Sequence, residues 1–374
     1  MINFWSYKDE YKKYRNKFNT FFDQTLKSGQ IFFGPNLKNF EYEFLKKYKS
    51  KYGVAVGSGT DALLISLMSI NIKNGDEVIT ASNTAIPTIS AIVNSGARPV
   101  LVDIKEDYLI DTDKIEKKIT KKTKAIIPVH LYGKSCDMEK IIKISNKYKL
   151  SIIEDCAQSQ GAKFNNKFVG TFGSLGCFSF YPTKILGGYG DGGFILTNNF
   201  KLYSNIKKIR FYGIDTIDKK NNFYNKYYAN INGLNSRLDE INSKILNFKL
   251  SKIDKFILKR RNIAKIYDNE LKNTGLKLPI INNNKFDVYH LYTVFHKKRD
   301  LIIKKLLKEK IQSRIIYPFP IHKMKAYSNF FKNEKYDISE INSKGIFSLP
   351  LYPELNIKDV KIICRKLKKI LLSI

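Results

Sequence analysis

The sequence predicts an α/β protein with one large, mostly parallel β-sheet domain and a smaller C-terminal α+β domain. Between residues 52 and 155, short apolar segments alternate with amphipathic ones, as in a parallel sheet covered by helices on both faces. Polar residues follow several of the apolar segments, at the carboxyl ends where such sheets bind ligands. After residue 250 the alternation ends. We therefore assign residues 1–250 to the large domain, with its N-terminal helices, and residues 251–374 to the small domain.

The large domain carries a regular succession of predicted elements. Two amphipathic helices come first, at 7–22 and 37–48, with a turn at 29–35 between them. The alternating region has strands at 52–57, 76–81, 98–104, 124–131 and 150–155, and helices at 62–70, 84–94, 112–119 and 137–149. The domain ends with short strands in 164–180, a strand at 193–197, a helix at 200–210, a polar loop at 211–233 and a helix from Ser236, its expected cap, to 250.

The small domain begins with a long basic helix that ends near residue 272. Strands are predicted at 288–296 and 313–317, and a helix at 300–309 lies between them. A final helix follows Asn356.

Composition limits the class of protein. The 374 residues are 43% hydrophobic and 13% aromatic, which indicates a globular chain rather than a disordered one. No apolar run is long enough to cross a bilayer, and the N-terminus has no basic region followed by an apolar core. We therefore expect a cytoplasmic protein that has no membrane partner. The four cysteines lack zinc-ligand spacing, so we expect reduced, mostly buried thiols and no metal site.

The formal net charge of +32 raises the question of nucleic-acid binding. The excess is almost all lysine and is spread along the chain, and no helix-turn-helix or zinc-finger spacing accompanies it. We therefore expect no specific nucleic-acid partner. A positive field does favour an anionic substrate such as a nucleoside diphosphate.

One lysine stands in an unusual setting. Lys184 follows the apolar segment Cys177-Phe-Ser-Phe-Tyr181, and five glycines lie within the seven residues 187–193. Glycines allow close backbone approach, and a desolvated lysine has a lowered pKa and can form a Schiff base. The alternative is a glycine-rich turn with an incidental lysine. The setting makes Lys184 a candidate nucleophile.

The first predicted strand leads into the turn Ser58-Gly59-Thr60-Asp61, which opens a helix. The free N–H groups and the positive dipole end of a helix N-terminus bind phosphate in this layout. An ordinary helix cap by Ser58 or Thr60 explains the same residues equally well.

Three further polar residues fall at predicted carboxyl ends: His130, Asp155 and Gln158. An aspartate at the end of a buried strand is costly unless it is paired, and a protonated pyridine nitrogen is a suitable partner. A helix cap or a salt bridge is the alternative for Asp155.

These motifs together resemble those of the DegT/StrS family of nucleotide-sugar aminotransferases, and the likeness covers nearly the whole chain. The segments that carry it are Gly57-Ser-Gly-Thr-Asp-Ala-Leu63, Glu154-Asp-Cys-Ala-Gln158, Ser179-Phe-Tyr-Pro-Thr-Lys184 with Gly190-Asp-Gly-Gly193, Asn235-Ser-Arg-Leu-Asp-Glu240, Tyr317-Pro-Phe-Pro-Ile-His322 and Ser348-Leu-Pro-Leu-Tyr-Pro353. The resemblance implies the aspartate-aminotransferase fold of fold type I enzymes and pyridoxal 5′-phosphate as cofactor.

The resemblance also implies roles for individual residues. Lys184 would form the internal aldimine and then move the proton, and Asp155 would keep the pyridine nitrogen protonated. Gln158 would hydrogen-bond the 3′-oxygen of the cofactor. The phosphate would lie against Gly59, Thr60, Asp61 and Ser179, and against Asn235 of the other subunit of a homodimer.

The substrates implied are L-glutamate and a keto sugar on a nucleoside diphosphate, for an amino sugar of a surface glycan or a glycosylated metabolite. We expect the sugar to contact Tyr181, Tyr212, Tyr317, His322 and the partner's 211–235 loop. The Asn-Ser-Arg segment after a tyrosine-rich loop is more similar to enzymes acting at C-3 of dTDP-3-keto-6-deoxyhexoses. Amination at C-4 of a 4-keto-6-deoxy nucleotide sugar is the alternative. A further alternative is a regulator that binds the cofactor without catalysis. This alternative is disfavoured because the chain retains Lys184, Asp155 and Gln158.

The sequence departs from the family pattern at Ala85, where an aromatic residue usually stacks on the cofactor ring. Either His130 or another residue covers that face, or the face is more open. A second reading of His130, as a hydrogen-bonded histidine at a strand end, is equally consistent with its position. Cys156 stands where alanine is common, and we interpret it as a small buried residue.

Overall fold

The structure is a computed structural model that describes residues 1–215 and 227–374. The predicted polar loop 211–233 therefore lies partly outside the described residues. Within the described residues the helices are α1 Tyr7–Lys27, α2 Pro35–Tyr48, α3 Gly59–Ser69, α4 Ile86–Asn94, α5 Met138–Tyr148, α6 Phe200–Ile209, α7 Glu240–Leu250, α8 Ile253–Leu271, α9 Arg299–Lys308, α10 Asp337–Gly345 and α11 Ile357–Leu372. The strands are β1 Tyr52–Val56, β2 Glu77–Ala81, β3 Arg98–Val102, β4 Thr123–Ile127, β5 Ser151–Asp155, β6 Lys163–Phe164, β7 Lys167–Phe168, β8 Leu175–Ser179, β9 Gly193–Thr197, β10 Lys285–Phe286, β11 Tyr292–Phe295 and β12 Ile346–Leu349.

A seven-stranded sheet organises the larger part of the molecule, with the strand order β1-β9-β8-β5-β4-β2-β3. Strand β9 runs antiparallel to both of its neighbours, and the other pairings are parallel. Strands β2, β8 and β9 are buried along their whole length, as expected when helices cover both faces of a sheet. The predicted α/β class with a mostly parallel sheet is confirmed.

Aromatic packing fixes the part of the sheet that leads to the glycine-flanked lysine. The Phe44 ring of α2 lies 4.5 Å from that of Phe194 on β9 and 5.2 Å from that of Phe178 on β8, measured between ring centroids. Phe40 contacts Phe180 in the same buried cluster. Because this cluster is fully buried, it holds the ends of β8 and β9 in place.

A separate core lies under the C-terminal elements. Strands β11 and β12 pair antiparallel, and Tyr292, Val294, Phe347 and Leu349 pack with buried residues of α8, α9 and α11. The predicted domain boundary falls between α7 and α8. The larger core also includes side chains from beyond that boundary, such as Ile321.

Two local predictions were wrong. The expected helix at 112–119 is two 3₁₀ turns, Thr112–Lys114 and Glu116–Lys118, because the Asp111 side chain accepts the Asp113 N–H and tightens the first turn. The expected strand at 313–317 is a single bridge between Arg314 and Ser348, and Pro318 and Pro320 follow directly after it. Helix α10 and strand β12 were not predicted.

The cap of α7 also differs from the prediction. The helix begins at Glu240, and the Asp239 side chain accepts the Asn242 N–H at 2.7 Å. Ser236 lies outside the helix, and its hydroxyl hydrogen-bonds to Gly57 and Asp61. No helix in residues 1–215 or 227–374 combines the length and the apolar character needed to span a membrane.

Candidate active site

Several parallel strands end at one cavity of about 320 Å³. Its walls come from the turn after β1, the end of β5, the end of β8 and the segment that follows β8. This is the edge at which α/β sheets bind ligands. The lining residues are Ser58, Gly59, Thr60, Leu63, Ala85, Ile86, Pro87, Val129, Asp155, Ala157, Gln158, Ser179, Tyr181, Lys184, Asp191 and Tyr317.

One end of the cavity is a helix N-terminus. Ser58 caps α3, and its side chain accepts the N–H of Asp61 at 3.0 Å, so the N–H groups of Gly59 and Thr60 remain for a ligand. A Cβ on Gly59 would lie 2.6 Å from Cβ of Ser179, so the backbone passes close to that side chain. Unpaired N–H groups and a positive dipole end make this a site for an anion such as phosphate.

Asp155 provides a buried carboxylate in the same cavity, and its side chain is 4% exposed. Oδ2 accepts the hydroxyl of Thr88 at 2.8 Å, and Oδ1 accepts the Ala157 N–H at 3.1 Å. Burial raises the pKa of Asp155, while these two hydrogen bonds and the positive charge of Lys184 act in the opposite direction. A cationic partner inside the cavity would stabilise the ionised form.

Lys184 lines the cavity and its amine is free. Among the described residues, Nζ has no hydrogen bond and no carboxylate within ion-pair distance. Burial lowers the pKa of Lys184 to about 8, and the Asp155 carboxylate only partly opposes this shift. About a tenth of the amine is therefore unprotonated at pH 7, far more than for an ordinary lysine, and this fraction is available as a nucleophile.

The amide of Gln158 is held in one orientation at the cavity wall. Its Oε1 accepts the Tyr132 N–H at 2.9 Å, and its Nε2 donates to the Tyr317 hydroxyl at 3.0 Å. Tyr181 also lines the cavity and is half exposed, so its ring lies at the opening. These contacts place three polar side chains around the space next to Lys184.

The expectation that His130 covers the cofactor ring is wrong. The His130 ring is fully buried and does not line the cavity: Nδ1 accepts the Cys136 N–H at 3.0 Å, and Nε2 lies 3.1 Å from Oε2 of Glu154. Because Nδ1 is an acceptor, Nε2 carries the proton that is donated to Glu154. The second interpretation of His130, as a hydrogen-bonded histidine at a strand end, fits the structure. Ala85 lines the cavity, and the aromatic residues in the described lining are Tyr181 and Tyr317.

Four other predicted site residues lie away from the cavity wall. His322 bonds through Nε2 to Oε1 of Glu340 at 2.9 Å, so its ring faces α10. Asp61 contributes its N–H to the cap and turns its carboxylate to Ser236, while Tyr212 and Asn235 are exposed.

Two residues of this site were missed by sequence reasoning. Thr88 holds Asp155, and its hydroxyl also lies 3.0 Å from that of Thr84. Two threonines four positions apart, Thr84 just before α4 and Thr88 in its first turn, were the available signal. Ser236 donates to Oδ2 of Asp61 at 2.7 Å and accepts the Gly57 N–H at 2.8 Å, so it braces the turn before α3.

Comparison with known proteins identifies the class. Residues 12–368 match the DegT/DnrJ/EryC1/StrS aminotransferase family. The chain is 40% identical over 362 residues to the dTDP-3-amino-3,6-dideoxy-alpha-D-galactopyranose transaminase of Aneurinibacillus thermoaerophilus, covering 96% of this chain and 97% of the relative. It is 38% identical over 358 residues to the dTDP-3-amino-3,4,6-trideoxy-alpha-D-glucose transaminase of Micromonospora megalomicea subsp. nigra, covering 94% of each.

The fold agrees with the sequence relationship. The crystal structure of S. venezuelae DesV, solved in complex with a ketimine intermediate, superposes with a TM-score of 0.93 at 33% identity and covers 98% of both chains. The chain therefore belongs to the DegT/DnrJ/EryC1/StrS aminotransferase family. The expected class, a pyridoxal-phosphate-dependent nucleotide-sugar aminotransferase, is confirmed.

The cavity fits pyridoxal phosphate. The cofactor has a phosphate, a pyridine nitrogen and an aldehyde, and the cavity offers a partner of the right chemistry for each: the N-terminus of α3, the buried Asp155 and the free amine of Lys184. The residues present therefore match the group in charge and in donor type.

Proposed function

We propose that the protein transfers the amino group of L-glutamate to C-3 of a dTDP-linked 3-keto-6-deoxyhexose. Glutamate would leave as 2-oxoglutarate, the keto oxygen of the sugar would leave as water, and an equal amount of water would be consumed in releasing 2-oxoglutarate. The names of both relatives place an amino group at C-3 of a dTDP-linked deoxy sugar, which supports this position of attack. The segment Asn235-Ser-Arg237 supports the same choice.

The observation that carries the proposal is the meeting of Lys184, Asp155 and the N-terminus of α3 in one cavity. When bound, pyridoxal phosphate supplies an aldehyde and an electron-withdrawing ring. Lys184 would hold that aldehyde through its amine and would then carry the proton, for which a pKa of about 8 is suitable. The Asp155 carboxylate would hold a proton on the pyridine nitrogen.

The remaining cavity residues position the reactants. The N–H groups of Gly59 and Thr60, together with the Ser179 hydroxyl, would bind the phosphate, since all three residues line the cavity. The amide of Gln158 is oriented by Tyr132 and Tyr317, so it can donate to the 3′-oxygen of the cofactor. Tyr181 and Tyr317 border the space left for the sugar.

We further propose that the active unit is a homodimer. Asn235 is exposed and lies next to Ser236, which is buried and braces the turn before α3. An exposed amide beside that turn is available to the phosphate bound by a second copy of the chain. Replacing Asn235 by Ala should therefore weaken cofactor binding in mixed dimers at the partner's site.

The test is amination of a substrate panel by the cofactor-loaded enzyme with L-glutamate. The panel holds a dTDP-linked 3-keto-6-deoxyhexose, a dTDP-linked 4-keto-6-deoxyhexose and a UDP-linked 3-keto sugar, with product detected by mass spectrometry. We expect the first sugar to be aminated fastest and Lys184→Ala to abolish the reaction, whereas Lys201→Ala, at an exposed lysine of α6, should retain it. Faster amination of the 4-keto sugar would contradict the assignment to C-3. No amination of any sugar, with cofactor bound, would favour a regulator.

A further inference from the structure

A second cavity of about 270 Å³ adjoins the first. Two chain segments contribute to the linings of both cavities. Thr183 lines the second cavity and Lys184 the first, and Ile316 lines the second and Tyr317 the first. Its volume lies just below the range of about 300–1,000 Å³ typical of sites for drug-sized ligands, so it suits a small metabolite. The lining also includes Phe4, Trp5, His290 and Arg314.

Arg314 gives this cavity a positive charge. Its backbone is fixed by reciprocal hydrogen bonds with Ser348, since the Arg314 N–H donates to the Ser348 carbonyl and the Ser348 N–H donates at 2.8 Å to the Arg314 carbonyl. Its side chain is exposed, and within residues 1–215 and 227–374 it has neither an ion pair nor a hydrogen bond. No acidic residue belongs to the lining. The guanidinium is therefore available to an anion.

His290 adds a polar group that is buried and has no partner. The side chain is 6% exposed, and neither ring nitrogen is hydrogen-bonded to any described residue. Burial lowers the pKa of His290 well below its ordinary value, and the positive charges of Lys184 and Arg260 act in the same direction. The ring is therefore neutral, and it can donate or accept one hydrogen bond with a molecule in the cavity.

The walls around these two side chains are held rigidly. Arg260 is buried and donates from one guanidinium nitrogen to the carbonyls of Tyr289, His290 and Leu351, at 3.2, 3.2 and 3.0 Å. At the N-terminus, the Ile2 N–H donates to the Lys310 carbonyl at 2.8 Å, and this bond holds the N-terminal residues against the cavity. A fixed frame lowers the entropy lost when a ligand binds.

The N-terminal segment closes the cavity with apolar surface. The Gln312 N–H donates to the Ile2 carbonyl, and Oε1 of Gln312 accepts the Phe4 N–H at 3.2 Å. This pairing places Phe4 and Trp5 in the lining. Phe4 and Trp5 therefore give the cavity apolar walls beside the exposed Arg314 side chain.

We propose that this second cavity is the subsite of the amino donor, and that Arg314 binds a carboxylate of a small dicarboxylic amino acid there while His290 donates or accepts one hydrogen bond. The inference rests on the proposed function, because it names where the donor lies relative to Lys184. A guanidinium matches a carboxylate with two parallel hydrogen bonds, and this favours a carboxylate over other small anions. The nucleotide sugar would occupy the space bordered by Tyr181 and Tyr317, at the opening of the first cavity.

The test uses the cofactor-loaded, full-length protein and glutarate, a dicarboxylate with the carbon count of glutamate and no amine. Glutarate can bind but cannot react, so its affinity is measured directly by calorimetry. We expect Arg314→Gln to weaken glutarate binding and to raise the KM for L-glutamate, each by about 10- to 100-fold, since a charge-assisted pair is lost. The glutarate affinity and the glutamate KM of Arg314→Lys should lie between those of the wild type and those of Arg314→Gln. Arg365→Gln, at an exposed arginine of α11 away from the cavity, is the matched control and should equal the wild type.

Two results would overturn the inference. One is that wild type does not bind glutarate, or that Arg314→Gln binds it as tightly as wild type does. The other is that Arg314→Gln raises the KM of the nucleotide sugar and leaves that of glutamate unchanged. Failure of the proposed function is seen separately, as a wild-type enzyme that binds glutarate through Arg314 and aminates no keto sugar.

Discussion

The hydrogen bond from Thr88 to Asp155 can be used to test what sets the pKa of Asp155. Thr88→Val removes the hydroxyl that lies 2.8 Å from Oδ2 and keeps the size of the side chain. Asp155 is buried, burial raises its pKa, and the Thr88 hydroxyl is one of the groups that oppose this shift. Without it, the pKa of Asp155 should rise further. The ionised form would then be lost at a higher pH than in the wild type.

The size of the effect follows from the bond that is removed. A hydrogen bond to a buried charged group is worth about 1.5–3 kcal/mol. Its loss lowers the ratio of ionised to protonated Asp155 about 10- to 100-fold at a given pH, since 1.4 kcal/mol is about tenfold. The acidic limb of the kcat profile should therefore move to higher pH. The apoprotein should also lose stability at neutral pH and less at mildly acidic pH, where the carboxyl is protonated in both variants.

The assays are a pH profile of kcat and urea unfolding of the apoprotein at two pH values. Thr88→Ser keeps the hydroxyl and is the matched control, so both measurements should stay near those of the wild type. Thr84→Val removes the neighbouring hydroxyl at 3.0 Å and should move the profile in the same direction by less. The reasoning is refuted if Thr88→Val and Thr88→Ser have the same pH profile.

Three further predictions concern the cavity. The rate at which pyridoxal phosphate attaches to the apoprotein should rise with pH with a midpoint of about 8, because burial lowers the pKa of Lys184, and a midpoint in the ordinary range of lysine would contradict this. Asp155→Asn should lower that midpoint, since Asp155 raises the pKa of Lys184, and should reduce kcat by at least about 100-fold. The same variant should stabilise the apoprotein at neutral pH, because the raised pKa of Asp155 means that its ionised form is disfavoured on folding, and thermal unfolding measures this. Gly59→Ala would place a Cβ 2.6 Å from Ser179 Cβ, and Gly193→Ala would place one 2.2 Å from the Ser58 carbonyl oxygen, so cofactor titration should show weaker binding by about 1–3 kcal/mol for both. Gly190→Ala, whose Cβ would lie 4.0 Å from Nδ2 of Asn242, should bind normally.

The sequence was sufficient to predict the sheet and much of the cavity wall. Alternating strands and helices place the carboxyl ends of parallel strands at one edge, so polar residues at those ends had to meet. Gly59, Thr60, Asp155, Gln158, Ser179 and Lys184 all line one cavity for this reason.

Side-chain direction could not be predicted in the same way. His130 stands at a strand end, as expected, yet its ring turns to Glu154, 24 positions along the chain. His322 faces Glu340 on α10, a helix that the local pattern did not predict. Both orientations are set by contacts between distant residues, which leave no periodic signal in the sequence.

The same reason explains the residues that were missed. Ser236 and Asp61 are 175 positions apart, and Thr88 and Asp155 are 67 apart. A serine before a helix suggests a cap, and a threonine in an apolar helix suggests a packed surface. Only the folded chain brings these hydroxyls to the carboxylates that they bind.

The central claim is that Lys184 alone binds the cofactor covalently. The most direct measurement is reduction of the cofactor-loaded protein with borohydride, followed by peptide mass mapping. Borohydride fixes the cofactor to whichever lysine holds it, so the outcome does not depend on turnover. We expect the pyridoxyl group on the peptide that contains Lys184, despite the many lysines of the chain. A label on any other lysine, or none on Lys184, would contradict the account.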